Sequence, residues 1–176
     1  MRYNLAFMWN DTDRPLAYLI TFRTRGTWLH GDPRGSTDRY RNRYRSPHIG
    51  EDLRWLRSNI NNLKGEPLIL NKQQREAVAD SIKDTSVKRE WNLFGANVRT
   101  NHAHAVVSSW PDGSAKVLHA LKANSTRVLR ESGLWKHDYS PWADKGSKRF
   151  LWNKSSIDKA IDYVKYGQGD DFLYTE

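Results

Sequence analysis

Asn101-His102-Ala103-His104-Ala105-Val106-Val107 places two histidines one residue apart at the head of a short apolar run. Side chains alternate across a strand, so His102 and His104 leave by one face while Ala103 and Ala105 turn to the other. Two imidazoles on one face make a two-nitrogen claw, and imidazole is the side chain most often used to hold a divalent metal. Two ordinary strand histidines are the plain alternative. Just upstream, Trp91-Asn92-Leu93-Phe94-Gly95-Ala96-Asn97-Val98-Arg99 reads as a strand and Thr100-Asn101 as a turn. His102 to Trp110 therefore runs back antiparallel, and the histidines sit on a hairpin inside a sheet, a stiffer mount than a loop.

Toward the N-terminus, Leu16 to Arg23 is rich in β-branched and aromatic residues and ends in Thr24-Arg25-Gly26, a strand followed by a turn. Leu19-Ile20 makes it apolar on both faces, as a central strand requires. From His30 to Gly50 the composition shifts to Gly, Pro, Asp, Ser and Arg, a long loop. Glu51 to Leu63 carries Leu53, Leu56, Ile60 and Leu63 at helical spacing, with Gly65 placed to end the helix. A second helix starts near Asn71, a candidate N-cap with Gln74 three residues on, and Val78, Ala79 and Ile82 form a short apolar stripe along it.

On the C-terminal side, Pro111-Asp112-Gly113-Ser114 is turn chemistry with Ser114 as cap, and Val117, Leu118, Leu121, Val128 and Leu129 mark a long helix. Lys116, Lys122, Arg127 and Arg130 fall on its other faces. Leu134 to Lys145 reads as an irregular segment anchored by Trp135, Tyr139 and Trp142, and Arg149 to Trp152 as a short last strand. Ser155 with Asp158 three residues later resembles a capping box opening a final helix. Ile157, Ala160, Ile161 and Val164 recur at i, i+3, i+4 and i+7, so one face of that helix packs on the core. On an ideal wheel Tyr163 lies about 110° from the centre of that face, whereas Tyr166 points away from the core.

The order strand, helices, hairpin, helix, strand, helix predicts an α+β fold, a ferredoxin-like βαββαβ sandwich with an insertion after strand 1 and an added C-terminal helix. Residues 1–176 are read as a single domain, with 28–65 as the insertion, a basic loop plus a helix.

Bulk properties narrow the function. A chain of 176 residues supports one domain with a real core. With no cysteine, thiolate metal sites and disulfides are excluded, which fits a cytoplasmic location. No apolar run is long enough for a membrane span, and no export signal is read. Lys and Arg number 29 against 20 acidic residues, a net charge of +9 and a pI near 9.8, which attracts polyanions, nucleic acid first. Arg39-Tyr40-Arg41-Asn42-Arg43-Tyr44-Arg45 concentrates that charge and interleaves it with aromatics, the mixture that grips phosphates and stacks on unpaired bases. A solvated loop is the bland reading of the same run.

Together with Ala160-Ile161-Asp162-Tyr163-Val164-Lys165-Tyr166-Gly167-Gln168, the His102-Ala103-His104 stretch resembles the single-tyrosine HUH transposases, in particular the REP-associated tyrosine transposases. HUH stands for histidine, hydrophobic residue, histidine, and the second signature is a helix with a nucleophilic tyrosine followed by Gln or Asn. The resemblance runs from Ala17 to Gln168 and takes in Thr27-Trp28-Leu29-His30-Gly31-Asp32 and Gly146-Ser147-Lys148-Arg149-Phe150-Leu151-Trp152. It implies the ferredoxin-like fold, a metal-dependent single-stranded DNA endonuclease and strand transferase, and a 5′-phosphotyrosine intermediate.

In that chemistry a tyrosine attacks a phosphodiester and conserves the bond energy as a covalent ester. A phenol with a pKa of about 10, a repelling phosphate and a departing 3′-oxygen all oppose the step. A cation on His102 and His104 would polarise the phosphoryl oxygen and stabilise the leaving alkoxide. Gln168 completes the implied ligand set, Mg²⁺ or Mn²⁺ being the metal expected of mixed nitrogen and oxygen donors. The wheel position selects Tyr163 as nucleophile. Gln168 follows it by five residues, a rotation of about 140° in a regular helix, which an unwound or π-type turn at Gly167 would correct. In a regular helix Gln168 is instead a core or capping amide. The expected DNA-binding set is Arg39, Tyr40, Arg41, Arg43, Tyr44, Arg45, Lys122 and Arg149.

The expected partner is single-stranded or hairpin DNA, with no membrane, and the resemblance leaves a homodimer and a monomer both open. A replication-initiator or relaxase-like nickase shares this chemistry. A non-catalytic single-strand nucleic-acid-binding domain descended from such a transposase is the alternative of a different class. A hydrolase of small phosphates leaves the arginine and tyrosine run without a purpose.

Overall fold

Ala17–Thr24 (β1) buries Ala17 and Leu19 on one face and Ile20 and Phe22 on the other, which only a strand covered on both sides can do. A computed structural model of the chain describes residues 13–33, 36 and 49–167. It continues with α1 (Leu53–Asn61), α2 (Lys72–Lys88), β2 (Asn92–Val98), β3 (His102–Ser108), α3 (Ser114–Glu131), β4 (Trp142–Leu151) and α4 (Lys154–Tyr166). The strands form one antiparallel sheet in the order β2-β3-β1-β4, so β1 is central as its two-faced pattern requires. With α2 and α3 as the crossovers, this is the ferredoxin-like βαββαβ plan, α1 lying in the insertion after β1 and α4 added at the end.

Two apolar layers follow from strand alternation. Ile20, Phe22, Ala103, Ala105 and Val107 meet Val78 and Ile82 of α2 and Val117, Leu121 and Leu129 of α3. Leu19, Val106 and Leu151 meet Ile157, Ala160 and Val164 of α4 on the opposite face. Ala103 and Ala105 are fully buried, and their small size lets the α2 and α3 layer approach the hairpin closely. One helix cannot cover a four-stranded face, and the part of that face beyond α4 carries the polar residues described below.

Four local expectations are corrected. The last strand begins at Trp142, not Arg149: Asp144, Lys145, Ser147, Lys148 and Arg149 are exposed, so this edge strand shows no apolar alternation, and its charges protect an open edge. Gly146 is required there, because a Cβ would come within 2.7 Å of the Thr21 carbonyl oxygen and 2.8 Å of Leu118. Helix α1 is shorter than Glu51 to Leu63 and starts after Asp52, whose carboxylate accepts from the amides of Arg54 and Trp55. It buries no residue, and Leu53 and Ile60 are exposed.

Ser114 is the first residue of α3 and Gly113 occupies the cap position. In α4 the cap is Asn153, which exchanges hydrogen bonds with Ser156 across a complete capping box, instead of Ser155 with Asp158. The box expected between Asn71 and Gln74 at the start of α2 is present. Among the described residues no helix is long and apolar enough to cross a membrane.

Candidate active site

His102 and His104 project from β3 by the face that α4 covers only in part, with ring centroids 4.6 Å apart and planes at 75°. Each ring is oriented by a neighbouring oxygen. The Nδ1 of His102 lies 2.6 Å from Asn101 Oδ1, an acceptor, which places the proton on Nδ1 and the lone pair on Nε2. The Nδ1 of His104 shares a 2.7 Å hydrogen bond with Thr21 Oγ1, its cross-strand partner on β1. Fixing one ring nitrogen through a second residue is how proteins preset an imidazole for metal at the other nitrogen. The donor set therefore fits a divalent cation at two positions. Among the described residues, no group of three or more His, Asp and Glu is placed to hold one.

Helix α4 brings a tyrosine to this pair. Its stripe of Ile157, Ala160 and Val164 is buried against Leu19, Val106 and Leu151, which fixes the rotation of the helix. Tyr163 then stands at the edge of the packed face, 45% exposed, with its ring 5.5 Å from that of His104 in an edge-to-face contact. Tyr166 is 81% exposed and points away, as the wheel predicts.

Gly167 is the residue at which α4 ends. Its amide makes the regular i to i−4 bond to the Tyr163 carbonyl at 3.0 Å, so no π-type turn forms through this residue. A Cβ at 167 would lie 2.9 Å from Tyr163 Cδ2, so the glycine leaves room for the ring. Gln168 lies outside the described residues, as do Arg39, Tyr40, Arg41, Arg43, Tyr44 and Arg45.

Further groups surround the pair. Arg23, cross-strand from His102, donates to the Trp28 carbonyl at 2.8 Å and lies 5.7 Å from the Trp28 ring centroid. The Trp28 ring in turn is 6.5 Å from that of His102. Trp28, next in the chain after the Thr24-to-Thr27 turn, has φ of 58°, a left-handed conformation costly for a bulky residue. Asn97, cross-strand from His104 on β2, donates from Nδ2 to the Val164 carbonyl at 2.8 Å.

Sequence reasoning assigned no role to Thr21, Arg23, Asn97 or Asn101. Cross-strand register was the missing signal for Thr21, Arg23 and Asn97, which lie opposite a histidine only once the strands are paired; Asn101 precedes His102 in the chain, and its bond to that ring shows only in the structure.

Of the remaining expected DNA contacts, Arg149 is exposed on β4, paired with Leu19 and hence on the histidine face of the sheet. Lys122 belongs to α3 on the other face. Its ammonium donates to the carbonyls of Ala143 at 2.6 Å and Asp144 at 3.0 Å. Burial lowers its pKa from the ordinary lysine value, with Asp144 opposing the shift. The structure thus does not bring Lys122 to the histidine pair.

The sequence model of the IS200-like transposases matches residues 60–165, a span that holds both histidines and Tyr163. The chain belongs to the IS200-like transposase family. Among solved structures it is similar to a REP-associated tyrosine transposase bound to a REP hairpin, at 11% identity and a TM-score of 0.50, over 86% of this chain and 65% of that one. It is also similar to a candidate transposase from Deinococcus radiodurans R1, at 12% identity and a TM-score of 0.49, over 88% of this chain and 92% of that one. The chain thus spans less than two thirds of the length of the first of these. At 11% identity the likeness to the first of these speaks for the fold alone. No curated protein matches the chain.

Proposed function

We propose that this IS200-like transposase cleaves and rejoins single-stranded DNA through a covalent 5′-phosphotyrosine on Tyr163. The observation that carries the reading is the 5.5 Å approach of the Tyr163 ring to His104, within a chain whose family is defined by DNA transposition. In the proposed step Tyr163 Oη attacks the phosphorus and loses its proton to solvent. The bond to the 3′-oxygen breaks, and that oxygen leaves as a protonated hydroxyl. The ester on Tyr163 retains the energy needed to join a second 3′-hydroxyl by the reverse reaction.

His102 and His104 would hold Mg²⁺ or Mn²⁺, with Gln168 as a third protein ligand. When bound, the cation supplies Lewis acidity to the phosphoryl oxygen. The chain's own contribution is positional: Asn101 and Thr21 hold the two imidazoles, α4 presents the tyrosine at their edge, and Arg23 and Arg149 add positive charge to the same face. The DNA is read as single-stranded or hairpin, in keeping with the hairpin held by the similar REP-associated transposase. The Arg39 to Arg45 run and the net charge of +9 support a polyanionic partner. With both histidines and the tyrosine in one chain, the reading needs no second subunit.

Incubation with a pool of short single-stranded oligonucleotides and Mn²⁺ tests this. A protein band shifted by covalently bound DNA on a denaturing gel is expected. Binding of the pool without any covalent product would favour the non-catalytic nucleic-acid-binding alternative.

A further inference from the structure

Asn97, His104, Thr21 and Ser147 are successive cross-strand partners, one row of residues across all four strands. Side chains in such a row share a face. Two of these residues flank His104 and each makes a directed bond: Thr21 to the His104 ring and Asn97 to the main chain of α4. The carbonyl that Asn97 engages belongs to Val164, the residue after Tyr163, in the last turn of the helix, where carbonyls run out of intrahelical donors.

We infer that Asn97 is a positioning residue for Tyr163, setting its distance and angle to His104 within a single chain; this rests on the reading of Tyr163 as the nucleophile. Apolar burial of Ile157, Ala160 and Val164 decides which face of α4 meets the sheet, but such contacts are non-directional and tolerate sliding and small rotations. An amide-to-carbonyl bond of 2.8 Å is directional. It pins the helix at its C-terminal end, one residue from the reacting side chain. The other end is already fixed by the Asn153 capping box and the short link to β4. A misplacement of about 1 Å at a reacting group can cost on the order of a hundredfold in rate, so loss of this bond is expected to act on the chemical step and not on DNA capture.

The test compares the full chain with its Asn97→Asp variant, which keeps the size of the side chain but offers no N–H to the Val164 carbonyl. Three quantities are measured: the single-turnover rate of covalent product with the oligonucleotide pool and Mn²⁺, the affinity for that pool, and the ring-to-ring NOE between His104 and Tyr163. The rate is expected to fall at least tenfold and the NOE to weaken, with affinity within twofold of the parent. Asn97→Ala gives the same readout should the introduced carboxylate unfold the chain.

An unchanged rate and NOE would overturn the assignment. So would a loss of affinity equal to the loss of rate, which would make Asn97 a DNA contact. Absence of covalent product from the parent chain itself would sink the functional reading, and the NOE comparison would then still decide whether Asn97 holds Tyr163 against His104.

Discussion

Thr21 Oγ1 and His104 Nδ1 meet at 2.7 Å across the β1 to β3 pairing, so a hydroxyl on the central strand orients the more deeply buried of the two histidines. Removing it while keeping shape isolates its effect. Thr21→Val should leave the fold intact and weaken Mn²⁺ binding by about 10–100-fold, the usual cost of losing a group that orients a ligating histidine. Mn²⁺ titration followed by EPR measures this directly. Unaltered affinity would mean that the hydroxyl serves packing only.

The two histidines should respond differently. His102 is half-buried and His104 is only 5% exposed, wedged between Thr21 and the Tyr163 ring. Both His102→Ala and His104→Ala should abolish covalent product while retaining most DNA binding. His104→Ala should also lower stability by about 1 kcal/mol, because the half-buried Thr21 hydroxyl loses its hydrogen bond. Urea unfolding separates the two effects. A His104→Ala protein that fails to fold, beside a His102→Ala protein that stays active, would mark the pair as structural.

Much of this arrangement was legible in the sequence because it is periodic. The alternation around His102 and His104 placed both on one strand face, and the Ile157, Ala160 and Val164 stripe placed Tyr163 at the flank of its helix. Register was not legible. Nothing in the local pattern of Leu16 to Arg23 says that Thr21 lies opposite His104, or that Asn97 does so from the other side. The long edge strand β4 was hidden because an exposed edge needs charge more than apolar alternation, and the cap at Asn153 because several neighbouring polar residues fit the same pattern. Gly167 is read for the turn it permits, and α4 does end there; that its missing Cβ also leaves room for the Tyr163 ring is a packing fact that no local pattern carries.

Acid should unfold the chain in part through Asp112. Its carboxylate accepts from Lys116 Nζ at 2.6 Å and from Trp91 Nε1 at 3.1 Å, with Arg89 at 3.9 Å. The Lys116 hydrogen bond leads in lowering its pKa below the ordinary 3.8, with burial opposing and the Trp91 bond and the charges of Lys116 and Arg89 adding to the lowering. A depressed carboxylate contributes stability that is present above the unfolded value and is lost as pH falls through the folded one. Thermal unfolding from neutral pH down to about 2 should therefore show a drop below about 4 that is shallower in Asp112→Asn. Parallel curves for the two proteins would remove Asp112 from the account.

DNA affinity should fall steeply with salt, since each neutralised phosphate releases a counterion. Replacing Arg39, Arg41, Arg43 and Arg45 together with Ala should flatten the dependence of log affinity on log salt concentration. An unchanged slope would show that this run is only a solvated connector.

Tyr163, and not Tyr166, is the tyrosine expected to carry the DNA. Tyr163 and Tyr166 lie three residues apart on one helix, yet only Tyr163 has its ring beside His104, and Tyr166 faces solvent. The direct measurement is to form the covalent product with single-stranded DNA and Mn²⁺, digest it, and map the DNA-linked peptide by mass spectrometry. The phosphate should be found on Tyr163, with Tyr163→Phe giving no product and Tyr166→Phe losing at most one stacking contact of about 1–3 kcal/mol. Phosphotyrosine at 166, or capture of DNA by the Tyr163→Phe protein, would contradict the account.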